Sequence, residues 1–202
     1  AQMPDFYSLD EYDLAGFIVG IVEKDKIIDG SKVESGNVLV GLESSGLHTN
    51  GYTLARKIAF DSMGLRVEDR FPGDARSVGE VLLDVHRSYL KEIEGLLRED
   101  LLNGLAHITG GGIEGNLPRI FRKGLGATID KTSWKVPNVF KVLEDGGKVS
   151  SREMYRVFNM GIGMILVVPE ENVARTMSEL ERKQARCWVI GTVENGEGVR
   201  LE

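Results

Sequence analysis

The sequence predicts an α/β (α+β) fold, a mixed β-sheet packed with helices. Three observations predict it. Short apolar runs of strand length alternate with stretches whose apolar residues recur at helical spacing. The alternation continues along the whole chain, as layered α/β architectures require. Gly, Pro, Asn and Asp cluster between the runs and mark turns. With 202 residues, 42% of them hydrophobic and 28% charged, the chain is long enough for one medium domain with a sizeable core.

Residues 1–13 are polar and aromatic and read as a loop. Leu14 to Val22 is a short apolar run, read as a buried strand, followed by a turn-rich stretch from Glu23 to Gly36. A domain boundary is expected near residue 32, because the first piece is too short to bury its own strand. Val38 to Leu42 reads as a strand, Glu43 to Asn50 as a small-polar loop, and Gly51 to Met63 as a helix. Residues 64–76 carry Gly64, Pro72, Gly73 and Asp74 and read as a loop. Helix is expected to dominate from Val78 to Leu102, with Leu90, Ile93 and Leu97 as its core-facing stripe. Leu105 to Thr109 is a strand candidate ending in Gly110-Gly111-Gly112, with a short helix onward to Phe121. Ala127 to Asp130 is a strand. Val136 to Leu143 is a short helix with Pro137 in its first turn, and a helix capped by Ser150 or Ser151 follows. Ile162 to Val168 reads as a buried strand closed by Pro169. Val173, Met177 and Leu180 stripe a helix, and Cys187–Val193 and Val199–Leu201 read as the last strands. No internal repeat is evident.

Composition narrows the function. A net charge of −6 argues against a general nucleic-acid or membrane-surface binder, since either favours a basic face. No apolar run approaches the length of a membrane-spanning helix. The single Cys187 forms no internal disulfide, which suits a cytoplasmic protein. Cys-x-x-Cys, His-Glu-x-x-His, P-loop and Gly-x-Ser-x-Gly patterns are absent, so no metal ligands are assigned. The chain opens Ala1-Gln2-Met3-Pro4, with neither initiator Met nor signal-peptide pattern, as a processed chain or a fragment does.

Three glycine-rich segments carry the candidate chemistry. The first, Ser44-Ser45-Gly46-Leu47-His48-Thr49-Asn50-Gly51, lies between a strand and a helix. Small residues let a phosphate approach the backbone, and Ser44, Ser45, Thr49 and Asn50 add donors. His48 is able to donate to an anion or shuttle a proton. Thr49 and Asn50 equally suit a plain helix cap. The second segment runs from His107 through Gly110, Gly111 and Gly112 to Asn116 and Arg119. Its Gly110, Gly112 and Gly115 formally match a dinucleotide fingerprint, with Asp130 at the distance of a ribose-binding acid, but the helix after it is short and the chain does not continue as a doubly wound domain. A tight turn with positive φ is the plainer use of those glycines. The third segment is Met154 to Met164. Its Gly161 and Gly163 permit close approach, Arg156 suits a phosphate or carboxylate, and Asn159 suits an orienting role.

In this order the segments resemble aminoimidazole ribonucleotide synthetase, the phosphoribosylformylglycinamidine cyclo-ligase family, over its C-terminal portion. The matching residues are Met3-Pro4, Tyr12 to Phe17, Ile28-Asp29-Gly30, Ser44 to Gly51 with Tyr52 and Arg56, Ala106 to Gly112, Asn116 to Arg119, and Met154 to Met164. Formylglycinamidine synthetase, selenophosphate synthetase, thiamine-phosphate kinase and the hydrogenase-maturation dehydratase share the architecture. The Ser-Ser-Gly-Leu-His and Tyr-Arg-Val-Phe-Asn segments favour the cyclo-ligase. Thr49 stands for a usual Ser, and Leu83 to Tyr89 departs from the usual sequence while keeping Arg87 and Tyr89.

The resemblance implies an ATP-dependent, Mg²⁺-requiring ring closure in purine biosynthesis. The formyl oxygen of formylglycinamidine ribonucleotide takes the γ-phosphoryl group of ATP, an amidine nitrogen closes the five-membered ring, and phosphate leaves. It implies residues 1–32 as a remnant of the N-terminal ATP-binding domain and 33–202 as the C-terminal synthetase domain. The ATP and metal site belongs to the missing N-terminal half, so this chain is expected to be inactive alone. Homodimerisation and a phosphorylated ribonucleotide substrate follow from the same resemblance. His48 and His107 become the catalytic candidates. Ser44, Ser45, Gly46, Asn50, Gly110, Gly111, Gly112, Asn116, Arg119, Arg156 and Asn159 become candidates for substrate or phosphate binding. The alternatives are a related ATP-dependent family member of the formylglycinamidine synthetase or selenophosphate synthetase type, or a phosphate-binding, dimerising module without turnover.

Overall fold

The computed structural model describes residue 12 and residues 16–202. Among these, six strands form one sheet: β1 (Val38–Glu43), β2 (Gly104–His107), β3 (Leu125–Ile129), β4 (Ile162–Val168), β5 (Cys187–Asn195) and β6 (Gly198–Leu201). Their spatial order is β2-β4-β1-β5-β3-β6. All neighbours are antiparallel except β3 and β6, so the sheet is mixed, as expected.

Helices cover both faces. Successive residues of a strand point to opposite sides, and β1 and β4 are apolar on both. Leu39, Ile165 and Val167 join a large core with α1 (Tyr52–Arg56), α2 (Val78–Leu82), α4 (Gly112–Asn116), α5 (Asn138–Gly147) and α6 (Ser151–Val157). Val40, Leu42, Leu166 and Val168 join a second core with α3 (Leu90–Arg98) and α7 (Val173–Arg182). That two-sided burial explains why β1 and β4 read as unbroken apolar runs rather than alternating ones.

Several elements differ from the sequence reading. The described part of the strand expected at Leu14–Val22 does not form: residues 16–23 are irregular, and Phe17 and Ile18 are 94% and 96% exposed. The run pairs with neither edge strand of the sheet, β2 or β6, so residues apolar enough for a strand stay unpaired. Of the loop expected at residues 1–13 all but Tyr12 lies outside the described residues, as do Leu14 and Ala15. The helix expected over Val78–Leu102 divides. Ser77 starts α2 with a capping box to Glu80, and the chain leaves helix at Leu83. Residues 83–89 form a connector before α3 begins at Leu90.

The stripe on α3 is also shifted. Leu90 is 62% exposed, whereas Leu96 is fully buried and Ile93 packs beside it. The buried line is Tyr89, Ile93 and Leu96, at i, i+4 and i+7. On α7 the expected Val173, Met177 and Leu180 do face the core. The helix expected at Gly51–Met63 is α1 continued by a π-helical turn, Lys57–Ser62, whose Met63 N–H donates to the Ile58 carbonyl. Ser150, not Ser151, caps α6 by accepting from the Glu153 N–H.

The shifted stripe makes a measurable difference. Leu96→Ala should lower the unfolding free energy by about 2–5 kcal/mol, a buried-leucine cost, while Leu90→Ala should change it by less than about 0.5 kcal/mol. Urea denaturation of the two variants checks it, and equal losses would place Leu90 in the core after all.

Candidate functional site

Strand polarity brings the candidate segments to one end of the sheet. β4 runs antiparallel to both β1 and β2, with Glu43 opposite Ile162 and His107 opposite Met164. The loop leaving β1, the loop leaving β2 and the turn entering β4 therefore emerge side by side. A bulge at Leu42/Glu43 bends β1 where the first loop begins.

Asn159 fastens two of these segments together. Its Oδ1 accepts from Ser44 Oγ at 2.9 Å and from the Gly161 N–H at 2.8 Å, and its Nδ2 donates to the Gly46 carbonyl at 2.8 Å. Ser44 N–H donates to the Gly161 carbonyl at 2.9 Å. Ser44 and Asn159 are buried. Their polar atoms are committed to the protein itself, so they shape the loop.

Asn116 does the same for the second loop. Its Oδ1 accepts from Thr109 Oγ1, and its Nδ2 reaches the carbonyls of Thr109, Gly110 and Gly112, the last at 2.7 Å. Gly112 has φ +61°, and a Cβ there would run into the Tyr155 carbonyl, so glycine is needed for both conformation and packing. The two loops meet where Gly110 comes up to Asn50 Oδ1.

Several amides of both loops have no acceptor within the protein, although Gly46, Leu47 and His48 are themselves buried. Among the described residues, the N–H groups of Gly46, Leu47, His48 and Thr49, and of Gly110 and Gly111, donate to no protein acceptor. Clustered unengaged amides of this kind favour an anion. Beside the first loop a cleft of about 310 Å³ is lined by Ser45, Gly46, Arg76, Asp84 and Asn138 among others. Arg76 is already shared between Asp74 and Asp84. Its hydrogen bonds to Asp74 hold that carboxyl at about 2, and the two carboxylates in turn raise the guanidinium pKa. Ser45 Oγ donates to the Val85 carbonyl at 2.7 Å.

Three histidines gather between the loops. His48 is buried, with φ +58°, and its Nε2 accepts from the Ser45 N–H at 3.1 Å. Burial, reinforced by the neighbouring His86 and His107, lowers its pKa to about 4, so it is neutral at neutral pH. Partial desolvation of its ring, with His86 beside it, lowers the pKa of the more exposed His107 as well. His86 comes from the connector between α2 and α3. Its ring stacks on His48 at 4.0 Å, and its Nε2 lies 3.1 Å from His107 Nε2. Gly163 on β4 makes room for this group, since a Cβ there would strike the His48 ring and the Tyr89 hydroxyl. The Tyr89 hydroxyl donates to the Glu43 carbonyl at 2.9 Å.

Of the residues singled out in the sequence, His48, Asn50, His107 and Gly110 to Gly112 come together here. Arg156 is turned elsewhere: its guanidinium forms a bidentate pair with Glu153 on the exposed face of α6. Arg119 is exposed on the 3₁₀ turn Leu117–Ile120 that follows α4. The dinucleotide fingerprint fails on topology. β2 and β3 are separated by three strands, α4 has five residues, and the Asp130 carboxylate is occupied by Thr132. His86 was missed by sequence reasoning, because nothing in its spacing ties it to His48 or His107.

The same fold is found within longer chains. It matches PurL of T. maritima, solved in complex with FGAR, at a TM-score of 0.55 and 14% identity, covering 89% of this chain and 27% of that one. The chain belongs to the family described as AIR synthase related protein, C-terminal domain, whose model matches residues 34–202. It is 52% identical over 197 residues to a phosphoribosylformylglycinamidine cyclo-ligase of Geobacter metallireducens, covering 98% of this chain and 57% of that protein. It is 50% identical to the cyclo-ligase of Caldicellulosiruptor bescii, covering 100% of this chain and 60% of that one. The chain thus spans rather more than half the length of the curated relatives it matches. No helix among the described residues is long and apolar enough to cross a membrane.

Asn159→Ala should cost about 3 kcal/mol, because the Gly161 N–H, the Gly46 carbonyl and Ser44 Oγ each lose a buried partner. Hydrogen exchange at the Gly161 amide should accelerate in step. Unchanged exchange and stability would show that the loop is held by something else.

Proposed function

We propose that this chain is the substrate-side half of an ATP-dependent cyclo-ligase that converts formylglycinamidine ribonucleotide to aminoimidazole ribonucleotide. The observation that carries the reading is the meeting of the loops Ser44–Gly51 and Thr109–Gly112 at one sheet end, with the amide N–H groups of Gly46 to Thr49, Gly110 and Gly111 unengaged. Such an array suits the phosphate of a ribonucleotide, and the names of the relatives supply the reaction.

The division of labour among the residues follows from their bonds. Gly46, Thr49, Asn50, Gly110 and Gly111 present backbone or side-chain groups to the substrate. Ser44, Asn116 and Asn159 hold those loops in shape. His48 and His107, neutral at the working pH, donate or accept a proton on the substrate's amidine or formyl group rather than neutralise phosphate. Phosphoryl transfer of this kind depends mainly on positioning, which fixed loops provide.

ATP and Mg²⁺ are taken to lie outside this chain. Among the described residues, the only grouping of three His, Cys, Asp or Glu side chains able to share an ion is the histidine trio, which lacks the oxygen donors Mg²⁺ prefers. Residues 1–32 are assigned to the ATP-binding domain of the complete enzyme. The exposed run Phe17 to Val22, apolar and unpaired here, then becomes a strand of that domain's sheet. A homodimer in the cytoplasm completes the reading.

The test joins the chain to the N-terminal portion of the Geobacter metallireducens relative and measures ADP release. Turnover should require formylglycinamidine ribonucleotide, and the 202-residue chain alone should release none. Turnover with selenide or thiamine phosphate, but not with the amidine, would leave only the family and remove the cyclo-ligase.

A further inference from the structure

We propose that His48, His86 and His107 form a binding site for a divalent transition-metal ion of the zinc class, held by three imidazole nitrogens with a fourth position open. One ring nitrogen from each residue lies within 4.8 Å of the others. The Nε2 atoms of His86 and His107 are 3.1 Å apart. Two nitrogens each about 2.05 Å from a tetrahedral ion stand about 3.3 Å apart, so this pair is already close to ligand spacing.

The surroundings fit a ligand set. His86 Nδ1 lies 3.2 Å from Thr49 Oγ1. With its proton on Nδ1 and donated to Thr49, His86 turns the Nε2 lone pair toward His107, the outer-shell arrangement that metal-bound histidines use. His48 Nδ1 is buried without any hydrogen-bond partner, an unpaired nitrogen that coordination would satisfy. Coordination there requires the ring proton to move from Nδ1 to Nε2 and the Ser45 N–H, which loses its acceptor, to turn away from that nitrogen. No proton is released. Loading also turns the His86 ring out of its stack on His48, which a half-exposed side chain on a non-helical connector permits. All-nitrogen donors select zinc, cobalt, nickel or copper over magnesium or calcium.

The three ligands come from three separate segments: the loop after β1, the connector before α3, and the end of β2. A bound ion would clamp the connector across both glycine-rich loops. Three protein donors leave one position for water or for an oxygen of a ligand held by those loops. The site shares His48 and His107 with the proton-transfer role proposed above, so loading and that role exclude one another, while the binding test below needs no cyclo-ligase activity.

The test uses the untagged chain and Zn²⁺ in equilibrium dialysis, with Co²⁺ absorption as a geometric readout. One ion per chain and the intense visible bands of four-coordinate Co²⁺ are expected. His86→Ala should weaken binding by at least about 100-fold, and His86→Phe, which keeps a ring against His48 but no lone pair, should do the same. Thr49→Val should weaken it by about 10-fold through the lost outer-shell bond. Cys187→Ser should leave it unchanged. Thermal melts of the metal-free variants verify folding. Failure of the parent chain to bind Zn²⁺ at millimolar concentration, or undiminished binding by both His86 variants, would overturn the site.

Discussion

The arrangement of this molecule depends on the antiparallel pairing of β4 with β1 and β2. Pairing fixes direction as well as position. Because β4 runs against both neighbours, its first residues lie beside the last residues of both. The turn Asn159–Gly161 is thereby set against Ser44, and Gly163 against Ile108, whose N–H donates to the Gly163 carbonyl at 2.9 Å. Every later feature of the site inherits this juxtaposition. Asn159 can bridge Ser44 and Gly46 only because the strands deliver them together, and Gly163 leaves the space that His48 and Tyr89 fill.

Two cores secure that pairing. β1 and β4 are buried on both faces, so a shift of one residue in their register would gain nothing by exchanging faces and would break the loop network instead. The specificity comes from the polar contacts at the strand ends. Ser44, Asn116 and Asn159 are buried polar side chains with their bonding capacity used inside the protein. Such groups are costly when unpaired, and so favour the one loop geometry that pairs them.

Much of this was legible in the sequence, for identifiable reasons. β1, β4 and α7 were readable because local apolar pattern and burial coincide. The two loops were readable because Gly, His and Asn between a strand and a helix restrict the backbone strongly. The Leu14–Val22 run misled, since apolar pattern reports a tendency to pair but not whether a partner edge exists. The interval Val78–Leu102 misled because periodicity persists across a break that Leu83 to Tyr89 make through capping and connector geometry. Roles at the site were harder still. Ser44 and Asn159 are 115 residues apart, and only the fold shows that each satisfies the other. Arg156 looked like an anion ligand until Glu153, one helical turn away, was seen to hold it. His86 carried no signal, because metal or proton chemistry among His48, His86 and His107 arises from three segments that meet only in space.

Family membership and geometry together support the proposed reading, in which a sheet end presents unengaged backbone amides beside His48 and His107. Its central claim is that the loops after β1 and β2 act as one anion site. The most direct measurement is an amide NMR titration of the chain with ribose 5-phosphate. The account predicts that Gly46 to Thr49 and Gly110 to Gly111 shift together, with a single dissociation constant. Shifts confined to one loop, or scattered over surface lysines and arginines, would contradict it.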